Sequence, residues 1–160
     1  ALGEHAIGKE TILSDQLDVF DQWILSRLNE TVKQVEEGMQ SYVMMNCTKA
    51  LYSFWLNDLC DVYIESIKPV IREGESVACG KKLNVLWKCI HDGLLLLHPF
   101  MPFITEELYQ RLPSVSTSIC ISKFPVFDGN KSESNNDLFQ DMMNVVKEIR
   151  SVAAEQGIAK

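Results

Sequence analysis

Residues 98–108 read His98-Pro99-Phe100-Met101-Pro102-Phe103-Ile104-Thr105-Glu106-Glu107-Leu108, and this stretch decides the fold. Pro99 and Pro102 lack a backbone N–H and bias the residues before them away from helix, so the leucine-rich helix that precedes them must end here. Thr105 is the expected N-cap of the next helix, with Glu106 and Glu107 in its first turn where carboxylates favour the positive end. Phe100, Met101 and Phe103 are expected to line a buried apolar corner between two packed helices.

Working outward, Leu83, Leu86, Trp87, Ile90, Leu94 and Leu97 recur at helical spacing before Pro99, which predicts a third helix with one inward face. A second begins after Gln40-Ser41, turns Cys47, Ala50, Leu51, Phe54, Leu59, Val62 and Ile67 inward, and is expected to stop at Lys68-Pro69. The first carries Phe20, Ile24, Leu28, Val32, Val35 and Met39 on one face, capped by Asp18 or Asp21 and ending near Gly38. The fourth runs from Thr105 to about Leu112. Beyond it, residues 118–124 read as a short β segment, 128–136 as a polar loop, and Leu138 to Ala153 as a fifth amphipathic helix closed by Gly157. The predicted fold class is all-α, an antiparallel bundle of about five helices. Residues 1–15 are expected to be a linker from an upstream catalytic part, 16–156 the bundle, and 157–160 the start of a C-terminal extension. The missing initiator Met and the abrupt end suggest a piece of a longer chain.

The 160 residues and 46% hydrophobic content suit one domain with an ordinary core. No apolar run reaches the roughly 18 residues needed to span a bilayer, and the N-terminus has no secretory pattern. A protein away from the membrane, in the cytoplasm, is expected. Five cysteines without a C-x-x-C pair argue against a zinc site or a disulfide framework and for small buried hydrophobes. The formal charge of −7 speaks against a general nucleic-acid binder, because phosphate contact rests on lysine and arginine. The exception is Lys68, Arg72, Lys81, Lys82 and Lys88 around one inter-helix loop, read either as a solvated loop or as an RNA-facing patch.

Asp21 to Leu28 (DQWILSRL), Tyr52 to Lys68 (YSFWLNDLCDVYIESIK), the 98–108 stretch, Ser118 to Pro125 (SICISKFP) and Val146 to Ile158 (VKEIRSVAAEQGI) together resemble, in order and spacing, the helical anticodon-binding part of the class Ia aminoacyl-tRNA synthetases. The Met-Pro-Phe and Cys-Asp-x-Tyr wording is most similar to the valyl-tRNA synthetases. The resemblance implies a domain that binds tRNA(Val) through its anticodon loop, beside catalytic and editing domains of the same polypeptide that use ATP and Mg. His5-Ala6-Ile7-Gly8 only superficially resembles the family's His-Ile-Gly-His signature, and no Lys-Met-Ser-Lys-Ser counterpart exists. Gly-rich phosphate loops are absent too. No catalytic, cofactor or metal residue is therefore expected in this chain.

Carried over residue by residue, Trp23 stands at the family's aromatic position and would stack a base, while Arg27 stands at its arginine position and would reach a phosphate or base edge. Gln22 departs from the arginine that many members carry. Tyr42 and Asn46, at the entry to the second helix, and Lys81 and Lys82 in the basic cluster complete the tRNA-binding candidates. Trp23 also fits a core position, and Arg27 a salt bridge. Asp58, Asp61 and Glu65 share a helix face that could hold a metal or an acid/base pair, but pairing with Lys68 or with arginines of adjacent helices accounts for them as well. His91 and His98 lack a ligand partner at metal spacing, and His98 is expected to be a packed corner residue. The functional alternatives are a helical protein-interaction module of a synthetase complex and the equivalent domain of an isoleucyl or leucyl relative.

Overall fold

The computed structural model describes residues 17–74 and 77–129, with Phe139, Asp141, Met142, Val145, Glu148, Ser151 and Val152 beyond. It divides into two units, residues 1–129 and 130–160, inside the stretch expected to be one bundle. In the second unit the seven described positions are helical; the remainder of the expected fifth helix, the 1–15 linker and the 157–160 extension lie outside the described residues. The numbered helices belong to the first unit.

Its helices are α1 (Val19–Gln40), α2 (Met44–Tyr52), a π-helical segment (Ser53–Ile64) that runs on into α3 (Glu65–Arg72), α4 (Val77–Leu97) and α5 (Pro102–Tyr109). The all-α class holds, and no strand occurs among the described residues. The expected β segment is corrected: Ile119–Ile121 is a single 3-10 turn, in which Ser118 Oγ accepts from the Cys120 amide at 3.2 Å. Glu106 captures the turn instead of a partner strand, accepting from Ser118 Oγ at 2.9 Å and from the Ile119 amide at 3.1 Å.

α1 starts at a reciprocal capping box. The Asp21 amide donates to Asp18 Oδ1 at 2.9 Å, and the Asp18 amide donates to Asp21 Oδ2 at 3.3 Å. Asp21 is only 2% exposed. It also receives the Tyr63 hydroxyl at 2.7 Å and the Lys82 ammonium at 2.8 Å, and Lys82 reaches Asp18 as well. Burial and this bond to a carboxylate hold Tyr63 firmly in its protonated, donating form.

Partner numbers along α1 fall as its own rise. Asp21 meets Tyr63, Arg27 meets Asp58 at 2.9 Å, and a Cβ on Gly38 would lie 2.5 Å from Cys47 Sγ. That reversal fixes α1 antiparallel to the rod formed by α2, the π segment and α3. The inward residues of the rod step through Phe54, Leu59, Tyr63 and Ile67. Steps of four and five follow from i→i+5 bonding, which is why Tyr63 is fully buried while Val62, expected inward, is only half-buried.

Three further expectations are corrected. The rod does not stop at Lys68-Pro69, because Ile67 anchors another turn and the chain breaks only at Gly74, φ +98°. α5 begins at Pro102, whose fixed φ suits the first helical position, so Thr105 is not the cap. It lies fully buried inside the first turn, its hydroxyl donating to the Met101 carbonyl at 2.8 Å. This phase turns Thr105 and Tyr109 inward and leaves Phe103 91% exposed, with Met101 also outside. Of the three apolar residues expected to line the corner, only Phe100 is half-buried.

α4 turns a different line inward from the predicted stripe, of which only Leu94 is buried while Leu83, Leu86, Trp87, Ile90 and Leu97 are half-buried. Lys82, Val85, Cys89 and Leu96 are covered along one line, while Leu94 and Leu95 form a second cluster with Tyr109 and Ile119, joined by Ile90 and Trp55. No helix among the described residues is long and apolar enough to cross a membrane.

Two substitutions test this packing. An exposed helical Gly→Ala normally stabilises, but Gly38→Ala is expected to cost about 1–3 kcal/mol by overpacking against Cys47, read as a lower thermal midpoint by circular dichroism. Asp21→Ala removes the acceptor of the buried Tyr63 hydroxyl and leaves Lys82 with Asp18 alone, and is expected to cost about 1–3 kcal/mol; an unchanged midpoint would refute the network.

Candidate nucleic-acid interface

Where α1 and α2 diverge, small side chains leave room. Gly38, Ser41, Ala50 and Ser53 flank a groove of about 550 Å³ that is also lined by Arg27, Thr31, Gln34, Glu37, Asn46 and Lys49. Arg27, Thr31 and Gln34 fall at steps of four and three on α1, and Asn46, Lys49 and Ser53 at three and four on the rod. Each helix thus contributes one polar stripe to the gap. Asp58 accepts from Arg27 Nε and fixes that side chain, while Thr31 donates to the Arg27 carbonyl at 2.8 Å.

The charge of this lining is nearly balanced. Asp58 offsets Arg27 and Glu37 offsets Lys49, leaving amides and hydroxyls as the main donors and acceptors. Such a surface suits the edges of unstacked bases better than a run of phosphates. Its volume is within the range of about 300–1,000 Å³ usual for ligand sites.

At the end of α1 the chain leaves in a Schellman motif. The Val43 amide donates to the Gly38 carbonyl at 2.8 Å and the Tyr42 amide to the Met39 carbonyl at 3.2 Å. The left-handed position of this motif, φ +59°, is held by Tyr42 where glycine is usual. Tyr42 is also 86% exposed, beside the exposed Val43 and Met45. A bulky residue kept in a strained conformation, with its ring in solvent next to a polar groove, is a pattern that clusters at functional sites.

The structure thus brings Arg27 and Asn46 together, with Tyr42 following Ser41 at the groove's rim. It separates the others. Trp23 is 4% exposed and belongs to the core, where its indole has no open face for a base. Lys82 is 8% exposed and turned onto Asp21. Lys81 is half-buried on α4 and does not line the groove. The basic cluster is largely absorbed by internal pairs, Lys68 with Glu65 and Lys88 with Asp92 at 2.8 Å. The carboxylate face resolves likewise into Asp58 with Arg27 and Glu65 with Lys68. His98 packs at the corner as expected, 2.7 Å from Thr105 Oγ1. Lys49, Gln34 and Ser53 are groove residues that sequence reading missed, although the paired polar stripes carried the signal.

The family described as anticodon-binding domain of tRNA ligase matches residues 21–160. The chain belongs to that family. Similar proteins include the valine–tRNA ligases of Clostridium acetobutylicum (37% identical over 145 residues, 90% of this chain) and Takifugu rubripes (39% over 173 residues, 99% of this chain). That of Homo sapiens is 47% identical over 109 residues, 66% of this chain. The chain spans 16%, 14% and 9% of the length of these three relatives.

The strain at Tyr42 is open to direct measurement. Tyr42→Gly is expected to raise stability by about 1 kcal/mol, relief of the left-handed backbone exceeding the entropy of the added glycine. A urea midpoint that falls would contradict this reading.

Proposed function

We propose that this chain is the anticodon-binding domain of a valine–tRNA ligase and holds the anticodon loop of tRNA(Val), positioning the tRNA for aminoacylation carried out by the catalytic part of the polypeptide. The single observation that carries the proposal is the groove that gathers Arg27, Asn46 and Lys49 between α1 and α2, with the strained, exposed Tyr42 next in the chain to Ser41 of its lining. Tyr42 supplies a stacking plane, Arg27 and Asn46 supply donors and acceptors for a base edge, and Lys49 supplies a phosphate contact. The remainder of the polypeptide, with its catalytic and editing domains, would work alongside it in the cytoplasm.

The ATP- and Mg-dependent chemistry belongs, in this reading, to the catalytic part. Among the described residues no three His, Cys, Asp or Glu side chains gather as a metal site, and the His5–Gly8 stretch lies outside them. Family membership supports RNA recognition over the protein-docking alternative.

The reading is tested with the intact protein and cognate or anticodon-swapped tRNA. Binding of the cognate should exceed that of the swapped tRNA. Asn46→Ala and Tyr42→Gly should each raise Kd about tenfold, in line with stacking contributions of about 1–3 kcal/mol per base. Lys49→Ala should lower the slope of log Kd against log salt by about one. Equal affinity for the swapped tRNA, or groove variants that bind like the unaltered protein, would overturn it.

A further inference from the structure

At the α4–α5 corner a thiol and an imidazole face each other. Cys120 is exposed in the 3-10 turn, and its Sγ lies 3.4 Å from His98 Nε2. The other ring nitrogen, Nδ1, lies 2.7 Å from Thr105 Oγ1. Thr105 has one proton, and it is directed to the Met101 carbonyl at 2.8 Å, with the Pro102 carbonyl at 3.2 Å. A hydroxyl that donates to the Met101 carbonyl accepts from the ring, and in that tautomer Nδ1 carries the hydrogen and Nε2 presents its lone pair to the thiol. Thr105 is fully buried, which fixes this orientation. A nucleophile, a base within hydrogen-bonding reach and a third group that orients the base form the arrangement that activates cysteines in general.

We propose that Cys120 and His98 form a nucleophile–base pair, and that Cys120 is a site of covalent thiol modification by exchange with a small disulfide such as glutathione disulfide. In the exchange the thiol proton passes to His98 Nε2 and Sγ attacks one sulfur of the disulfide. The S–S bond of the reagent breaks, a new one forms to Cys120, and the departing glutathione thiolate takes the proton back from His98. Nothing else is oxidised or reduced. The remaining cysteines differ in kind. Cys47, Cys79 and Cys89 are buried, and burial pushes the Cys89 thiol up, away from its reactive form. Cys60 is exposed on the π segment and serves as the internal comparison. An adduct on Cys120 would sit on the turn that Glu106 ties to α5, and so bears on the end of the bundle built by the proline corner.

The intact protein is incubated with glutathione disulfide near neutral pH for short times and the adducts are mapped by peptide mass spectrometry. Cys120 should be modified about tenfold or more faster than Cys60, and His98→Gln should slow Cys120 by about tenfold or more while leaving Cys60 unchanged, as loss of a positioned base predicts. Equal rates at Cys120 and Cys60 in the unaltered protein overturn the proposal without recourse to any variant. So does an unchanged Cys120 rate in a His98→Gln protein that retains its helical circular dichroism.

Discussion

A carboxylate removed from water must be answered by donors, and Asp21 is answered from three places in the chain. Its own capping partner Asp18, the Tyr63 hydroxyl from the π segment and the Lys82 ammonium from α4 converge on it. Removing one leaves a buried polar group short of a partner, at about 1–3 kcal/mol against a net stability of about 5–15 kcal/mol. Apolar faces alone would allow α1 to slide along its neighbours with little penalty. The Asp21 network does not, since its donors lie 42 and 61 residues away in sequence and fit only one register. Arg27 with Asp58 and Gly38 against Cys47 repeat the constraint further along α1, so the position of the groove follows from the same locks.

Among the described residues, two of the stretches whose wording resembles the synthetases meet each other. DQWILSRL contributes Asp21 and Arg27, and the aromatic-rich segment contributes Tyr63 and Asp58. That explains why the class and the order of the helices were legible: apolar periodicity gives the rods, and the polar letters interrupting it are the bonds between them. What was not legible follows from effects that periodicity cannot carry. A π-helical turn shifts the inward position from Val62 to Tyr63. Pro102 is as good a start as Thr105, and only the packing of Thr105 and Tyr109 decides between them. Ser118–Ile121 has strand-like composition, yet with no strand edge among the described residues it is folded onto a glutamate.

The candidate site was legible in part, for an analogous reason. Arg27 and Asn46 lie in polar stripes that face a gap, and a stripe is visible as spacing. Trp23 and Lys82 carry side chains that fit RNA chemistry equally well, but nothing in their spacing says that one fills the core and the other neutralises Asp21. Lys49 was overlooked because a single lysine on an exposed helix face is ordinary until the opposite wall is known. Tyr42 owes its meaning to a backbone angle, which no side-chain pattern encodes.

The charge balance can now be read differently. Of the basic residues suspected of facing RNA, Lys82, Lys68 and Lys88 are each held by carboxylates of the same unit, and Asp58 occupies Arg27. A net charge of −7 together with internally spent cations leaves little long-range attraction for a polyanion, so this domain is poorly built to supply bulk affinity. It is better built to discriminate. A nearly neutral groove gains little from phosphates that every tRNA shares and most from base edges and stacking faces that differ between anticodons. Attraction would then have to come from elsewhere on the polypeptide, with the groove contributing a difference in affinity between right and wrong tRNAs. On that division of labour an acidic composition is no objection to RNA recognition, because weak non-specific attraction limits how tightly a wrong tRNA is held.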